Sequence, residues 1–312
     1  MNEIDVARHS RLIDPQLHVW GWEIPVYLFL GGMAAGVMIL TAALWMKRED
    51  RSPAARWLAF AAPVLVSLGM GALFLDLAHK LHVWRFYLAF RWTSPMSWGA
   101  WILVLVYPVS IVTALAGLDE AQAGRAVAFA GRFGLGGLAR AARGFGLAHA
   151  PALRWASVVT GVALGVYTGI LLSTLGARAL WSSALLGPLF LVSGLSTGAA
   201  LLMLCRRLAD EERHLLAGWD RIAMALELVV LLLFLAGLTT GGAAGKAAAE
   251  LLLGGPFTAP FWALVVIAGL AVPSLLAALE ARLGLAMTRA APALVLLGGL
   301  ALRWILVAAG QA

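Results

Sequence analysis

Glu23-Ile24-Pro25-Val26-Tyr27-Leu28-Phe29-Leu30-Gly31-Gly32-Met33-Ala34-Ala35-Gly36-Val37-Met38-Ile39-Leu40 continues almost without a polar residue to Met46, and the first base is Lys47. A helix over 23–46 is about 36 Å long at 1.5 Å per residue, enough to cross a hydrocarbon layer of about 30 Å. Seven further runs have similar character, at 57–78, 98–117, 155–175, 185–205, 219–242, 257–279 and 291–309. Hydrophobic residues make up 62% of the chain and charged residues 12%. Soluble domains average roughly 45–50% and 25%. The expected fold is therefore an all-α membrane protein of eight transmembrane helices, arranged as two four-helix bundles. The first run reads as a span rather than a signal peptide, because acidic residues precede it and it runs too long.

The formal net charge of +7 could suggest nucleic acid, but the bases sort by loop instead. The links after odd-numbered spans carry Lys47, Arg48, Arg51, Arg56, Arg125, Arg132, Arg140, Arg143, Arg154, Arg206, Arg207, Arg213, Arg282 and Arg289. The N-terminus and the alternate links hold half as many: Arg8, Arg11, Lys80, Arg85, Arg91, Arg178 and Lys246. This bias places the odd links in the cytoplasm and both termini on the outer side. It argues against nucleic acid as a partner.

The chain divides into spans one to three with the outer N-terminus (1–117), a basic Gly- and Arg-rich cytoplasmic link (118–154), spans four and five (155–205), and spans six to eight (206–312). In the link, Arg132, Arg140 and Arg143 alternate with Phe133, Leu138 and Phe145. Such a segment either lies in the membrane interface against anionic lipid or forms a flexible basic loop. Gly32/Gly36 in span one and Gly194/Gly198 in span five are each four apart, a spacing that lets helices approach closely.

Redox centres within the chain are not expected. One cysteine, Cys205, cannot hold an iron–sulfur cluster, and none of the six histidines sits mid-span where a haem would need an axial ligand.

Several polar residues need a reason. His18, Trp20, Trp22, Glu23 and Tyr27 gather at the start of span one. An aromatic belt explains the indoles, but a carboxylate at a span entrance must be hydrated, paired or used. Asp76 and His79 close span two and share a face if the helix continues that far. They read either as an ion pair, with Lys80 and Arg85 as other partners, or as a proton-exchanging pair on the same side as Glu23. Tyr167 lies in span four between Gly165 and Gly169. Glu227 in span six and Arg303 in span eight are intramembrane charges, which are costly and usually face the bundle interior. Direct contact between them is not expected; a hydrated polar path is the alternative to a structural pair.

The run from His18 through Trp22-Glu23-Ile24-Pro25 to Gly36 resembles the opening of membrane subunits of the NrfD/polysulfide reductase family. So does the passage from Asp76 through Arg85-Phe86 to Thr93-Ser94-Pro95-Met96-Ser97-Trp98-Gly99, and the close at Leu297-Gly298-Gly299-Leu300-Ala301-Leu302-Arg303. The resemblance implies a subunit exchanging electrons between menaquinone or ubiquinone and an iron–sulfur, ferredoxin-like partner that serves a molybdopterin enzyme or a cytochrome. It implies a quinone site near one membrane face, between helices of the first bundle. On this chain that site would use His18, Trp22 and Tyr167, with Tyr27 beside them. Asp76, Glu23 and His79 would handle protons, and Glu227 and Arg303 would serve any deeper proton path. A polytopic transporter and a passive anchor without redox role are the competing readings.

Overall fold

The computed structural model describes residues 20–312 except 78, 89, 175–177 and 284–287. Among the described residues, eight helices are long and apolar enough to cross a membrane: Glu23–Lys47, Pro53–Asp76, Pro95–Ala116, Ala150–Ser173, Leu186–Met203, Asp210–Thr240, Thr258–Glu280 and Ala290–Gln311. They are called spans one to eight below. The face at which span one begins is called upper, and the opposite face lower. No strand occurs among the described residues.

Local chemistry sets the helix ends. Span one opens on Glu23 and Pro25 and closes on Lys47, so charge complements the helix dipole and the proline sits where its missing N–H costs little. Span two starts at Pro53 after Ser52, whose hydroxyl accepts from the Ala55 N–H at 3.2 Å. Span six begins nine residues before the apolar run at 219, because Asp210, Glu211 and Glu212 make a favourable polar first turn. Glu212 accepts from the Ala209 N–H at 3.1 Å and from both the N–H and the hydroxyl of Ser52, at 2.7 and 2.6 Å. One buried carboxylate thus ties the starts of spans two and six together.

Spans one and five are the centre. In each, 72% of the most apolar window is buried, against 22% for span seven. Span one packs on spans two, four, five and eight; span five packs on spans one, four, six and eight. Spans three and four are neighbours, as are spans seven and eight. The two glycine runs noted in the sequence meet each other here. A Cβ on Gly36 would strike the Gly194 carbonyl, and one on Gly194 would strike the Gly32 carbonyl. Exposed Leu68, Leu75, Val159, Leu232, Leu233 and Leu275 face outward from the spans, as lipid-facing positions require. Span seven is π-helical over Phe261–Ala271.

The basic link is helical rather than a loop. It forms two helices, Glu120–Gly131 and Gly136–Ala148, joined at Gly134 with φ 76°. Asp119 and Gln122 cap the first reciprocally, the Gln122 N–H donating to Asp119 at 2.8 Å. The second packs against the lower end of span three, where a Cβ on Gly146 would crowd Ala116 and Val112. Beneath spans one and four, Arg51 and Arg154 both lie 4.8 Å from the Trp45 ring. Burial, followed by the neighbouring Arg56 guanidinium, lowers the Arg51 pKa to about 10.

Candidate functional site

A cavity of about 620 Å³ opens near the upper face between spans one, two, three and four. Its wall is mainly apolar: Ile24 and Leu28 from span one, Met70, Leu73 and Phe74 from span two, Met96 and Leu103 from span three, Leu171 and Leu172 from span four. Few polar groups enter it. They include the phenols of Tyr27, Tyr87 and Tyr167, the carboxyl of Asp76, and Ser94 and Thr174. An apolar slot of a few hundred Å³ with a few convergent polar groups is the usual form of a small-molecule site.

The sequence seats the phenols. Tyr27 follows the first turn of span one and is buried. Tyr167 lies against Gly99, where a Cβ would fall inside the phenol ring. Gly99 therefore gives up its side chain so that span three can accept the aromatic residue of span four. Tyr87 comes from the short helix Arg85–Leu88 that bridges spans two and three. Partial burial, followed by the nearby Tyr107 phenol, raises its pKa, so it remains a hydrogen-bond donor above neutral pH. Trp20 completes the wall. Its ring stacks on Trp181 with centroids 5.1 Å apart, and its backbone exchanges hydrogen bonds with the Gln311 amide at 2.9 and 3.1 Å.

The residues expected from the sequence separate into three groups. Tyr27, Tyr167 and Asp76 line the cavity together. Trp22, Glu23 and His79 do not. Trp22 is 50% exposed, in keeping with a belt residue. Glu23 folds back over Gly21 and lies close enough to Asp76 to interact with it electrostatically. The helix of span two ends at Asp76 and Leu77 is extended, so His79 does not share a face with Asp76. The His79 ring meets that of His82 edge-on, centroids 6.2 Å apart. Among the described residues, Asp76 makes no ion pair with His79, Lys80 or Arg85. His18 lies outside the described residues.

Glu227 and Arg303 form a separate group below the cavity. Arg303 is fully buried. Its Nη1 donates to the Ser193 hydroxyl and to the Gly299 carbonyl at 3.1 Å, and its Nη2 donates to the Phe190 carbonyl at 3.0 Å. The guanidinium also lies 5.0 Å from the Phe190 ring. Glu227 faces the same Ser193 hydroxyl. The two charges do not pair directly, as expected, but share one hydroxyl. Gly32 makes room for Arg303, since its Cβ would lie 3.1 Å from Nη2.

Sequence reading missed Trp20, Tyr87 and Gly99 as site residues. Tyr87 had a signal, standing beside Arg85-Phe86 in the passage already singled out. The seat of Tyr167 on Gly99 had none, because it joins positions in different spans.

Comparison with known proteins places this architecture. A family model described as "Polysulphide reductase, NrfD" matches residues 10–312. The protein is 31% identical to the C subunit of polysulfide reductase from Wolinella succinogenes over 310 residues, covering 94% of each sequence. It is 31% identical to protein NrfD of Escherichia coli over 309 residues, covering 94% of this sequence and 95% of the relative. A protein NrfD homolog of Haemophilus influenzae is 27% identical over 82% of each sequence.

Proposed function

The chain belongs to the NrfD polysulphide reductase family, and from that premise we propose that its upper cavity binds the headgroup of a membrane quinone, menaquinone or ubiquinone. The chain is then the quinone-exchanging membrane subunit of a respiratory oxidoreductase. The observation that carries this reading is the convergence of Tyr27, Tyr87, Tyr167 and Asp76 on one apolar cavity between spans. A quinone ring is flat and apolar with two carbonyls, so it needs an aromatic slot and one or two donors. The cavity supplies both.

A quinone supplies two-electron chemistry coupled to two protons, and the protein must supply the protons' route. Tyr167 and Tyr27, both on the cavity wall, would donate hydrogen bonds to a quinone carbonyl. Asp76 sits at the end of span two, where the helix gives way to the upper-face segment. From there its carboxyl can exchange protons between the cavity and water. Glu23, near Asp76 but outside the lining, acts as a second acid toward water. Gly99 positions the Tyr167 ring.

The charge bias of the links supports a periplasmic upper face, and membership of a family of bacterial membrane subunits supports the inner membrane as its location. An iron–sulfur, ferredoxin-like subunit would dock there, serving a molybdopterin enzyme or a cytochrome. Leu81, Leu88 and Trp92 stand 74–87% exposed on the segment beside the cavity, an apolar rim suited to a partner. The test is Asp76→Asn and Tyr167→Phe in the assembled complex, read as quinol-linked electron transfer and inhibitor affinity. Both should fall. Unchanged rates and affinities in both variants would refute the assignment. Co-purification of an iron–sulfur protein, rather than substrate flux by the chain alone in liposomes, separates this reading from a transporter.

A further inference from the structure

A second cavity, of about 380 Å³, lies at the lower ends of spans five to eight. Charged groups of both signs line it. Span six contributes Arg213, Asp220 and Arg221, with His214 beside them, and the end of span seven contributes Glu280. Met203, Met224 and Pro273 belong to its apolar wall. Arg221 and His214 are exposed, so the cavity is open at its mouth. The apolar run of span six begins at 219, which sets Arg221 at the lower edge of the membrane.

The charges balance without pairing. Two guanidiniums stand against two carboxylates, yet among the described residues no ion pair joins them. Each acid is held by a protein donor instead. Asp220 is buried and accepts from the Ser196 hydroxyl at 2.8 Å; Glu280 accepts from the Thr288 N–H at 2.9 Å. Arg213 donates to the Cys205 carbonyl at 3.3 Å. Arg221 makes no hydrogen bond or ion pair with any described residue. A lone arginine at a span end is ordinarily a snorkelling side chain, solvated by whatever surrounds it. Arg221 instead shares a cavity with a second guanidinium and with an acid from another span.

That arrangement selects among ligands. A bare anion would suit the arginines but would meet both carboxylates, and a bare cation would meet both guanidiniums. A molecule with a phosphate and an ammonium joined by a short linker satisfies both signs. Arginine presents a planar fork to phosphate oxygens, and a carboxylate accepts from an ammonium N–H. The charge bias of the links makes this the cytoplasmic side, where basic pockets between spans hold phospholipid headgroups. Lipid tails also have a place. Span seven packs chiefly on span eight and only lightly on span six.

We propose that the lower cavity binds a phospholipid with a phosphoethanolamine headgroup. Arg221 and Arg213 take the phosphate, Glu280 takes the primary ammonium, and the tails lie along the seam between spans six and seven. Asp220 disfavours a lone anion in the same space. The site is separate from the upper cavity and does not rest on the quinone reading.

Native mass spectrometry of the full-length purified protein tests it. The protein is titrated with phosphatidylethanolamine, phosphatidylcholine and phosphatidylglycerol of identical tails. Phosphatidylcholine has the phosphate but no ammonium N–H, and phosphatidylglycerol has the phosphate but no cation. Phosphatidylethanolamine should bind about tenfold more tightly than either, the scale of one charge-assisted hydrogen bond. R221Q should weaken phosphatidylethanolamine and phosphatidylcholine alike, by about tenfold. E280Q keeps a side-chain oxygen for the Thr288 N–H, so it should abolish the preference for phosphatidylethanolamine over phosphatidylcholine and leave phosphatidylcholine binding unchanged. Phosphatidylglycerol or phosphatidylcholine binding as tightly as phosphatidylethanolamine overturns the proposal, as does a preference that survives both substitutions. Soluble phosphoethanolamine should not displace the lipid at equal concentration; displacement would assign the cavity to a soluble phosphate ester and overturn the lipid assignment. Thermal melting confirms that each variant is folded. If one variant does not fold, the other and the order of the three lipids on the wild-type protein decide.

Discussion

Gly99→Ala tests the proposed quinone site at the point where its geometry is most constrained. A methyl at Gly99 would occupy the space of the Tyr167 phenol, overlapping its Cζ, Cε1 and hydroxyl. Gly99 lies within the helix of span three and cannot swing aside, so the phenol must move. Overfilling a packed site costs about 1–3 kcal/mol of stability. Displacing the hydroxyl should also remove a hydrogen bond to the ligand worth about 1–1.5 kcal/mol, or about a 5- to 13-fold loss in quinone or inhibitor affinity. Tyr167→Phe should lose the affinity without the stability. Adding Gly99→Ala to Tyr167→Ala should cost almost nothing more, because the methyl then has room; contacting residues of this kind are strongly non-additive. Inhibitor titration and thermal melting of the purified protein measure both effects. If Gly99→Ala changes neither affinity nor melting, or if it costs as much without the Tyr167 ring as with it, the seating argument is wrong.

Gly194→Ala should lower stability by about 1–3 kcal/mol, seen as a reduced melting temperature, since its methyl meets the rigid Gly32 carbonyl. Ser193→Ala removes the hydroxyl shared by Arg303 and Glu227 and should cost about 1–2 kcal/mol in a detergent-unfolding assay. Tyr87 should keep its proton past the pH of about 10 at which a free tyrosine loses it, because burial penalises the phenolate. Ultraviolet titration should show one late-titrating tyrosine fewer in Tyr87→Phe. The link helices expose Phe129, Phe133, Leu138 and Phe145 beside Arg132 and Arg140. A tryptophan replacing Phe133 should be quenched by brominated lipid, and more strongly in anionic bilayers.

The spans were legible because a run of more than twenty apolar residues has few other uses. Their ends were less so: span six starts at Asp210 because three acids extend a helix that hydropathy cannot see. The link 118–154 left an interface segment and a flexible loop both open, and its glycines hid two helices, the second packed on span three. In the site, Tyr27, Tyr167 and Asp76 were legible as polar groups that a span must justify. A shared face for Asp76 and His79 depended on the helix continuing past Asp76, and there the backbone turns extended instead. The two Gly-x-x-x-Gly runs suggested close approach, but only the structure shows that they approach each other.

The most direct measurement is photoaffinity labelling of the purified protein in lipid with an azido-quinone, followed by peptide mapping. The adducts should fall on the lining of the upper cavity, among Met70, Tyr87, Met96 and Leu171, and should vanish when excess quinone competes. Adducts confined to the outward faces of spans six and seven, undiminished by competitor, would contradict the account.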